Sequence, residues 1–265
     1  MMSVGLRSLF RREVLRYVRR PKNTFMPPAI TNVLYFAVFG VILGGRIREP
    51  VEGIGYIEFI LPGLIVLGAI SNAFENASFS IFHGRWNEYI HETLTSPMSY
   101  AEMVAAYVGA SAVRGLIVGA IIAAIGRLFV PISLEHAGFL LAVMVTISVL
   151  FAGLGIIGGL VARDFDDLTV MNQFILRPLV FFGAIFYSLE MLEPVWQYVS
   201  LLNPMVYMVD SVRFGFIGYT DLATIAPPGY GEFAPLAALG VLATLTALVL
   251  AVDVYLFKIG YGLTD

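Results

Sequence analysis

Six long apolar segments separated by short polar links take up most of this chain. Uncharged runs cover Asn23 to Gly45, Phe59 to Phe74, Ala137 to Ala162 and Phe233 to Val252; Met103 to Gly126 and Leu168 to Leu189 are each interrupted by a single arginine. A bilayer core about 30 Å thick takes roughly 20 helical residues to cross. With no water in that core, every backbone N–H and C=O must be paired inside the protein, so apolar runs of this length are predicted to be spanning helices. The expected fold class is an all-α polytopic membrane protein with six transmembrane helices, at about 24–45, 57–79, 102–126, 138–162, 168–189 and 233–257. Residues 1–22 form an N-terminal segment of different character, and 23–265 form the transmembrane domain.

Composition agrees, with 58% hydrophobic residues and 13% charged ones, against about 25% charged in an ordinary soluble domain. The absence of cysteine excludes disulfides, thiol catalysis and cysteine-ligated metal. The placement of charge says more than the net value of −3. Seven of the sixteen Lys and Arg precede residue 23, namely Arg7, Arg11, Arg12, Arg16, Arg19, Arg20 and Lys22. The positive-inside rule places that end in the cytoplasm, and six crossings return the C-terminus, with Lys258, to the same side. Arg85 and Arg163 then also lie inside, while Arg46, Arg48, Arg127 and Arg213 lie in outer loops. The first 22 residues hold six Arg and one Lys without an apolar core or a small-residue cleavage site, so they are not expected to be a signal peptide.

That segment reads as an amphipathic helix along the membrane surface. Leu6, Leu9, Phe10, Val14 and Tyr17 recur at three- and four-residue spacing, the arginines fill most of the remaining surface, and Pro21 ends it. Its charge suits anionic lipid headgroups. The loop from Ser80 to Ala101 holds a predicted short helix, Arg85 to Ser96, bearing Trp86 and Tyr89 with Arg85, Glu88 and Glu92 around them. The next cytoplasmic loop is only Arg163, Asp164, Phe165, Asp166 and Asp167. From Glu190 to Glu232, MLEPVWQYVSLL and PMVYMVDSVRFGFIG read as two short apolar helices hinged at Asn203-Pro204. They are too short to span, which makes them re-entrant or interfacial.

Several chemistries are excluded. A Walker A loop needs lysine directly after glycine, but Lys22 and Lys258 follow Pro21 and Phe257. His91-Glu92-Thr93-Leu94-Thr95 fails the HExxH zinc pattern at its last position, and His83, Glu88, His91 and Glu92 read as an exposed polar face rather than a metal site. No inverted internal duplication is visible, which weighs against a self-contained secondary transporter. Neither an enzyme active site nor a nucleic-acid partner is expected.

Three charges fall within the predicted spans: Glu75 in the second, Arg114 in the third and Arg177 in the fifth. Charges at such depth are costly unless paired or facing water. They read either as an ion pair of Glu75 with Arg114 or Arg177, or as part of a translocation path. Gly40/Gly44, Gly115/Gly119 and Gly155/Gly159 have the spacing that permits close helix packing.

Three stretches resemble a known family in their order along the chain. They are YIEFILPGLIVLGAISNAF, GRWNEYIHETLTSPMSYAEMVAAY, and ARDFDDLTVMNQFILRPLVFFGAIFYSLEMLEPVWQYVSLLNPMVYMVDSVRFGFIG. The last combines a Phe-Asp-Asp loop, a Phe-Tyr-Ser and a Leu-Asn-Pro. Together they look like an ABC-2-type transporter permease of the drug and lipo-oligosaccharide exporter subgroup. The resemblance implies an inner-membrane homodimer bound to two cytoplasmic ABC ATPase subunits, which would hold the ATP and magnesium; this chain would bind no cofactor. A pump without its own nucleotide site needs a surface on which an ATPase can push. Trp86 and Tyr89 would anchor it, with Arg85, Glu88, Glu92, Arg163, Asp164, Asp166 and Asp167 as its polar part; membrane-interface anchoring is the other reading of the two aromatics. Asn203, Pro204 and Tyr207 would form an outer gate. The competing functions are an ATPase-independent transporter or channel using the intramembrane charges, and a non-transporting scaffold.

Overall fold

Capping and chain-breaking residues decide where the helices start and stop. The structure, a computed structural model, describes residues 4–42, 53–131, 133–226, 229 and 231–263; among them it is all helical, with no strand. Helix α1, Val4–Val18, stops just before Pro21, which occupies the first position of α2, Pro21–Tyr35. There its missing N–H costs no hydrogen bond. α2 contains Pro27 and Pro28 and passes into a π-helical stretch, Phe36–Ile42. α3, Tyr56–Trp86, is the longest helix and runs past the expected end of its span.

The short α4, Ile90–Leu94, precedes α5, Tyr100–Gly126. Ser99 and Glu102 open α5 with a reciprocal capping box, each side chain meeting the other's backbone N–H. α6 covers Ala137–Val161. The fifth apolar run divides into α7, Phe165–Val170, a π-helical stretch, Met171–Leu176, and α8, Arg177–Phe181. Then come α9, Pro194–Ser200; α10, Pro204–Ile217; α11, Asp221–Ile225; and α12, Ala234–Ile259.

α3 is the axis of the bundle, with 78% of its most apolar stretch buried. Glycines let α5 and α6 approach it from two sides. A Cβ on Gly115 of α5 would stand 2.6 Å from the Ala69 carbonyl oxygen. Cβ atoms on Gly155 and Gly159 of α6 would stand 2.5 Å and 2.6 Å from the carbonyl oxygens of Phe74 and Ser78. The small-residue spacing seen in the sequence therefore packs helices within one chain; Gly44 lies outside the described residues. α12 is peripheral, with 22% of its apolar stretch buried.

Four helical stretches are long and apolar enough to cross a bilayer: Tyr56–Trp86, Tyr100–Gly126, Ala137–Val161 and Gly231–Ile259. They match four of the six expected spans, and the chain is a multi-pass membrane protein. The first run is helical over its described residues but changes from α- to π-helical at Phe36, and a π-helical stretch divides the fifth. In the fifth run proline supplies the cause, since it has no N–H for the helical ladder and its ring crowds the preceding turn. Pro178 follows the π-helical stretch of the fifth run, and Ala184, with φ of 56°, turns the chain before the expected end at residue 189.

Candidate functional site

The loop after α3 differs from the single helix expected over Arg85 to Ser96. α3 continues to Trp86, the chain breaks at Glu88 with φ of 62°, and α4 keeps only five residues. The break sends Trp86 and Tyr89 to different places. Trp86 is 60% exposed and stands 5.7 Å from Phe165, which is 40% exposed, measured between ring centroids. Buried Phe82 backs both rings, at 5.8 Å and 4.8 Å. The two loops expected to meet an ATPase thus form one aromatic face, although its two exposed rings are 79 positions apart in the sequence.

The polar residues around that face hold its shape. Arg85 donates through Nη1 to the carbonyl oxygens of Gly159, Leu160 and Ala162, at 2.8, 2.8 and 3.0 Å. A cation at a helix C-terminus complements its dipole, and here it ties the tip of α3 to the end of α6. Asp164 caps α7 by accepting from the Asp167 N–H at 2.8 Å, while Asp167 Oδ2 accepts from the Arg163 N–H at 2.9 Å. Glu88 and Asp166 are exposed, and exposed Glu92 lies with Tyr89 on the α1 side instead.

Tyr89 serves a second cluster, on α1. Leu9, Glu13 and Tyr17 form the buried stripe of that helix, so its inward face carries an acid that the apolar periodicity hid. Glu13 pairs with Arg12 at 3.0 Å and Arg16 at 3.4 Å, and accepts a hydrogen bond from Ser80 of α3. Arg12 also donates to the Tyr107 hydroxyl at 3.2 Å and lies 5.5 Å from the Tyr89 ring centre. Burial pushes the Tyr89 phenol above its ordinary value, and the Glu13 charge adds to the rise.

From this cluster a polar seam runs into the bundle. Arg16 Nη2 donates to Asn76 Oδ1 at 3.0 Å, and Arg114 Nη1 donates to the same oxygen at 3.2 Å. Arg114 Nη2 donates to Asn72 Oδ1 at 3.1 Å. The expected pairing of Glu75 with Arg114 is absent: among the described residues the ion pairs are Arg12–Glu13, Arg16–Glu13 and Arg213–Asp221. Glu75 instead accepts from Asn172, on the π-helical stretch, at 2.8 Å. Neutral amides replace the carboxylate because Asn72 and Asn76 present their oxygens to α5 from one face of α3, four residues apart. Sequence reasoning passed over both, since an asparagine in an apolar run lacks the signature of a charge. The Arg177 side chain lies outside the described residues.

At the opposite end, Asn203 caps α10 through its Oδ1 and donates through Nδ2 to the Leu179 carbonyl oxygen of α8 at 2.8 Å. Pro204 takes the first position of α10, and Tyr207 donates to the Leu201 carbonyl oxygen at 2.9 Å. These bonds clamp the position expected to be a hinge. Arg213, expected in an outer loop, is fully buried in α10; it pairs with Asp221 at 2.9 Å, and its guanidinium lies 3.7 Å from the Phe59 ring centre. Asp210, Ser188 and Tyr219 complete this cluster.

Apolar helices packed by glycine around a charged seam define a multi-pass helical membrane protein. The chain belongs to the ABC-2 type transporter family, whose model matches residues 5–217. It is 39% identical over 226 residues to the inner membrane transport permease YadH of Escherichia coli strain K12, covering 85% of this chain and 88% of that protein. It is also 24% identical over 217 residues to nodulation protein J of Rhizobium leguminosarum bv. viciae, covering 80% and 82%. Nodulation protein J of Neorhizobium galegae is 20% identical over 218 residues, covering 80% and 81%. The family is the membrane permease component of ABC transporters, which implies an ATPase partner.

Proposed function

We propose that the chain is the transmembrane subunit of an ATP-driven exporter in the inner membrane, with both termini cytoplasmic. Two copies would enclose the path, and two separate ATPase subunits, holding ATP and magnesium, would drive it. The cargo would be an amphiphilic drug, a lipid-linked molecule or a saccharide. The observation that carries this reading is the aromatic face of Trp86 and Phe165, where the tips of α3 and α7 meet with an exposed polar surround. Large exposed aromatics rimmed by charge are the usual anatomy of a protein interface. Six crossings are reached by counting α2 with its π-helical extension and α7–α8 as spans, and the α9–α10 pair would enter the membrane from outside without crossing it.

The test is purification of the tagged full-length chain from its native membrane, with and without the double substitution Trp86→Ala/Phe165→Ala. The expected outcome is a co-purifying ATPase with vanadate-sensitive activity, lost in the double variant while membrane insertion is kept. Transport by the chain alone in ATP-free proteoliposomes under an ion gradient would instead establish the ATPase-independent alternative.

A further inference from the structure

Where α1 turns into α2, the chain forms an open cavity of about 320 Å³ against α3 and α5, near the lower end of the range typical of ligand pockets. Arg16, Arg20 and Arg114 line it, against a single carboxylate, Glu75. That carboxylate is held by Asn172 and forms no ion pair with Arg114. Arg16 and Arg114 meet instead on one neutral oxygen, Asn76 Oδ1. Arg16 has Glu13 as its counter-ion at 3.4 Å, whereas Arg114 has no ion-pair partner among the described residues. Arg114 also keeps a buried Nε without a hydrogen-bond partner. An uncompensated cation inside a membrane is costly, so a ligand that brings an anion gains what the protein itself does not supply.

The shape of the site says what kind of anion. Arg20 and Asn23 are exposed at its mouth, while Arg114 lies fourteen residues beyond Tyr100 in α5, roughly 21 Å along the axis. The cavity therefore joins the exposed Arg20 to the half-buried Arg114. Asn23, Met26 and Ile30 follow at three- and four-residue spacing, so they share one face of α2, and Leu34 continues it a turn later. Met26, Ile30 and Leu34 are all exposed. The helix face that begins polar at the cavity thus continues as an apolar strip along the membrane.

We infer that this cavity receives the phosphate head group of an inner-leaflet amphiphile, whose hydrocarbon chain lies along Met26, Ile30 and Leu34. Guanidinium forks match phosphate oxygens in pairs. The inference rests on the export reading above and narrows its cargo to anionic amphiphiles. A soluble phosphate shares the head-group chemistry but lacks the chain.

The experiment uses the full-length chain in neutral phosphatidylcholine nanodiscs, without ATPase. A fluorescent short-chain phosphatidic acid, the diacylglycerol with the same chains, and inorganic phosphate are each titrated. The phosphatidic acid is expected to saturate one site about tenfold or more tighter than the diacylglycerol, with inorganic phosphate a weak competitor. Arg114→Gln should weaken the phosphatidic acid by a similar factor, Arg114→Lys by less, and Arg127→Gln not at all. If Arg114→Gln does not yield a folded species, Arg20→Gln removes charge at the exposed rim and gives the same readout. Equal binding of the charged and neutral lipids overturns the inference, as does indifference to both Arg114→Gln and Arg20→Gln. Inorganic phosphate binding as tightly as the lipid overturns the membrane source. With no ATPase present, a negative result leaves the export reading intact, and a failed ATPase co-purification leaves the lipid titration standing.

Discussion

Arg213 keeps its charge with no exposed surface because several groups share it. Asp221 accepts from Nη1 at 2.9 Å, the Ala184 carbonyl oxygen accepts from Nη2 at 2.8 Å, and the Phe59 ring lies against the guanidinium. Removing one member of a buried pair strands the other without water. Arg213→Ala is therefore expected to destabilise the protein by about 3–5 kcal/mol, read as a lower midpoint of thermal unfolding in detergent. Arg127→Ala, at the exposed end of α5, should stay within about 0.5 kcal/mol of the parent. Equal losses would show that the buried pair does not hold α10. The sequence offers no way to tell these two arginines apart by loop charge alone. Asp221 reaches Arg213 only because Gly218, with φ of 70°, turns the chain back after α10. The visible clue was Asp210 and Arg213 three residues apart in an apolar stretch, with no second strand of evidence to say which partner each would find.

Among the helices, backbone contact sets tolerance. Gly155→Ala would place a methyl group 2.5 Å from the Phe74 carbonyl oxygen, a backbone atom that α3 cannot move alone. Overpacking of this kind costs about 1–3 kcal/mol, again read as a drop in the unfolding midpoint. Gly240→Ala in α12 meets nothing within 4 Å and should be neutral or stabilising by up to about 1 kcal/mol through helix propensity. The reverse order would mean that α6 does not pack on α3 as described. The lengths of α5, α6 and α12 were legible because hydropathy and spanning length are one constraint seen twice; of α3 only the start was, since the helix runs on to Trp86. The π-helical stretches of the first and fifth runs were not, although Pro178 stood in plain view in the fifth. In a membrane segment a proline is tolerated when neighbours satisfy the freed carbonyl, so its presence does not fix whether a run bends or ends. The break at Glu88 left still less trace, because a non-glycine residue with positive φ carries no mark in the sequence.

Across the whole molecule, the two ends of the bundle answer different questions. Asn203 joins α10 to α8, and Val206, 1% exposed, sits behind that clamp. In this cysteine-free chain, Val206→Cys should resist a water-soluble thiol reagent at rest and react under ATP turnover if the α9–α10 segment opens. Trp196→Cys, at a position 59% exposed, should react in every state. Identical labelling of Val206→Cys in resting and vanadate-trapped complexes would show that the segment does not gate. Of the candidate sites, the aromatic face was legible as two separate loops, and the seam as isolated charges. Their joining depends on Arg85 reaching α6 and on Asn72 and Asn76 facing α5, contacts no local pattern contains. Both ends meet in α3. Its 31 residues make a rod roughly 46 Å long, with Trp86 at one tip and Phe59 near the other. Between them Ser80, Asn76 and Asn72 take hold of Glu13, Arg16 and Arg114. From Gly63 to Trp86 the rod has no proline, and Pro62 is its first knuckle. A helix is stiff along its axis, so a stroke delivered at Trp86 would slide the asparagines past their arginines and flex the knuckle beneath Phe59 in a single movement. Release of a head group within the bundle and loosening of the far end would then be timed mechanically, by one lever, with no message to be carried from residue to residue.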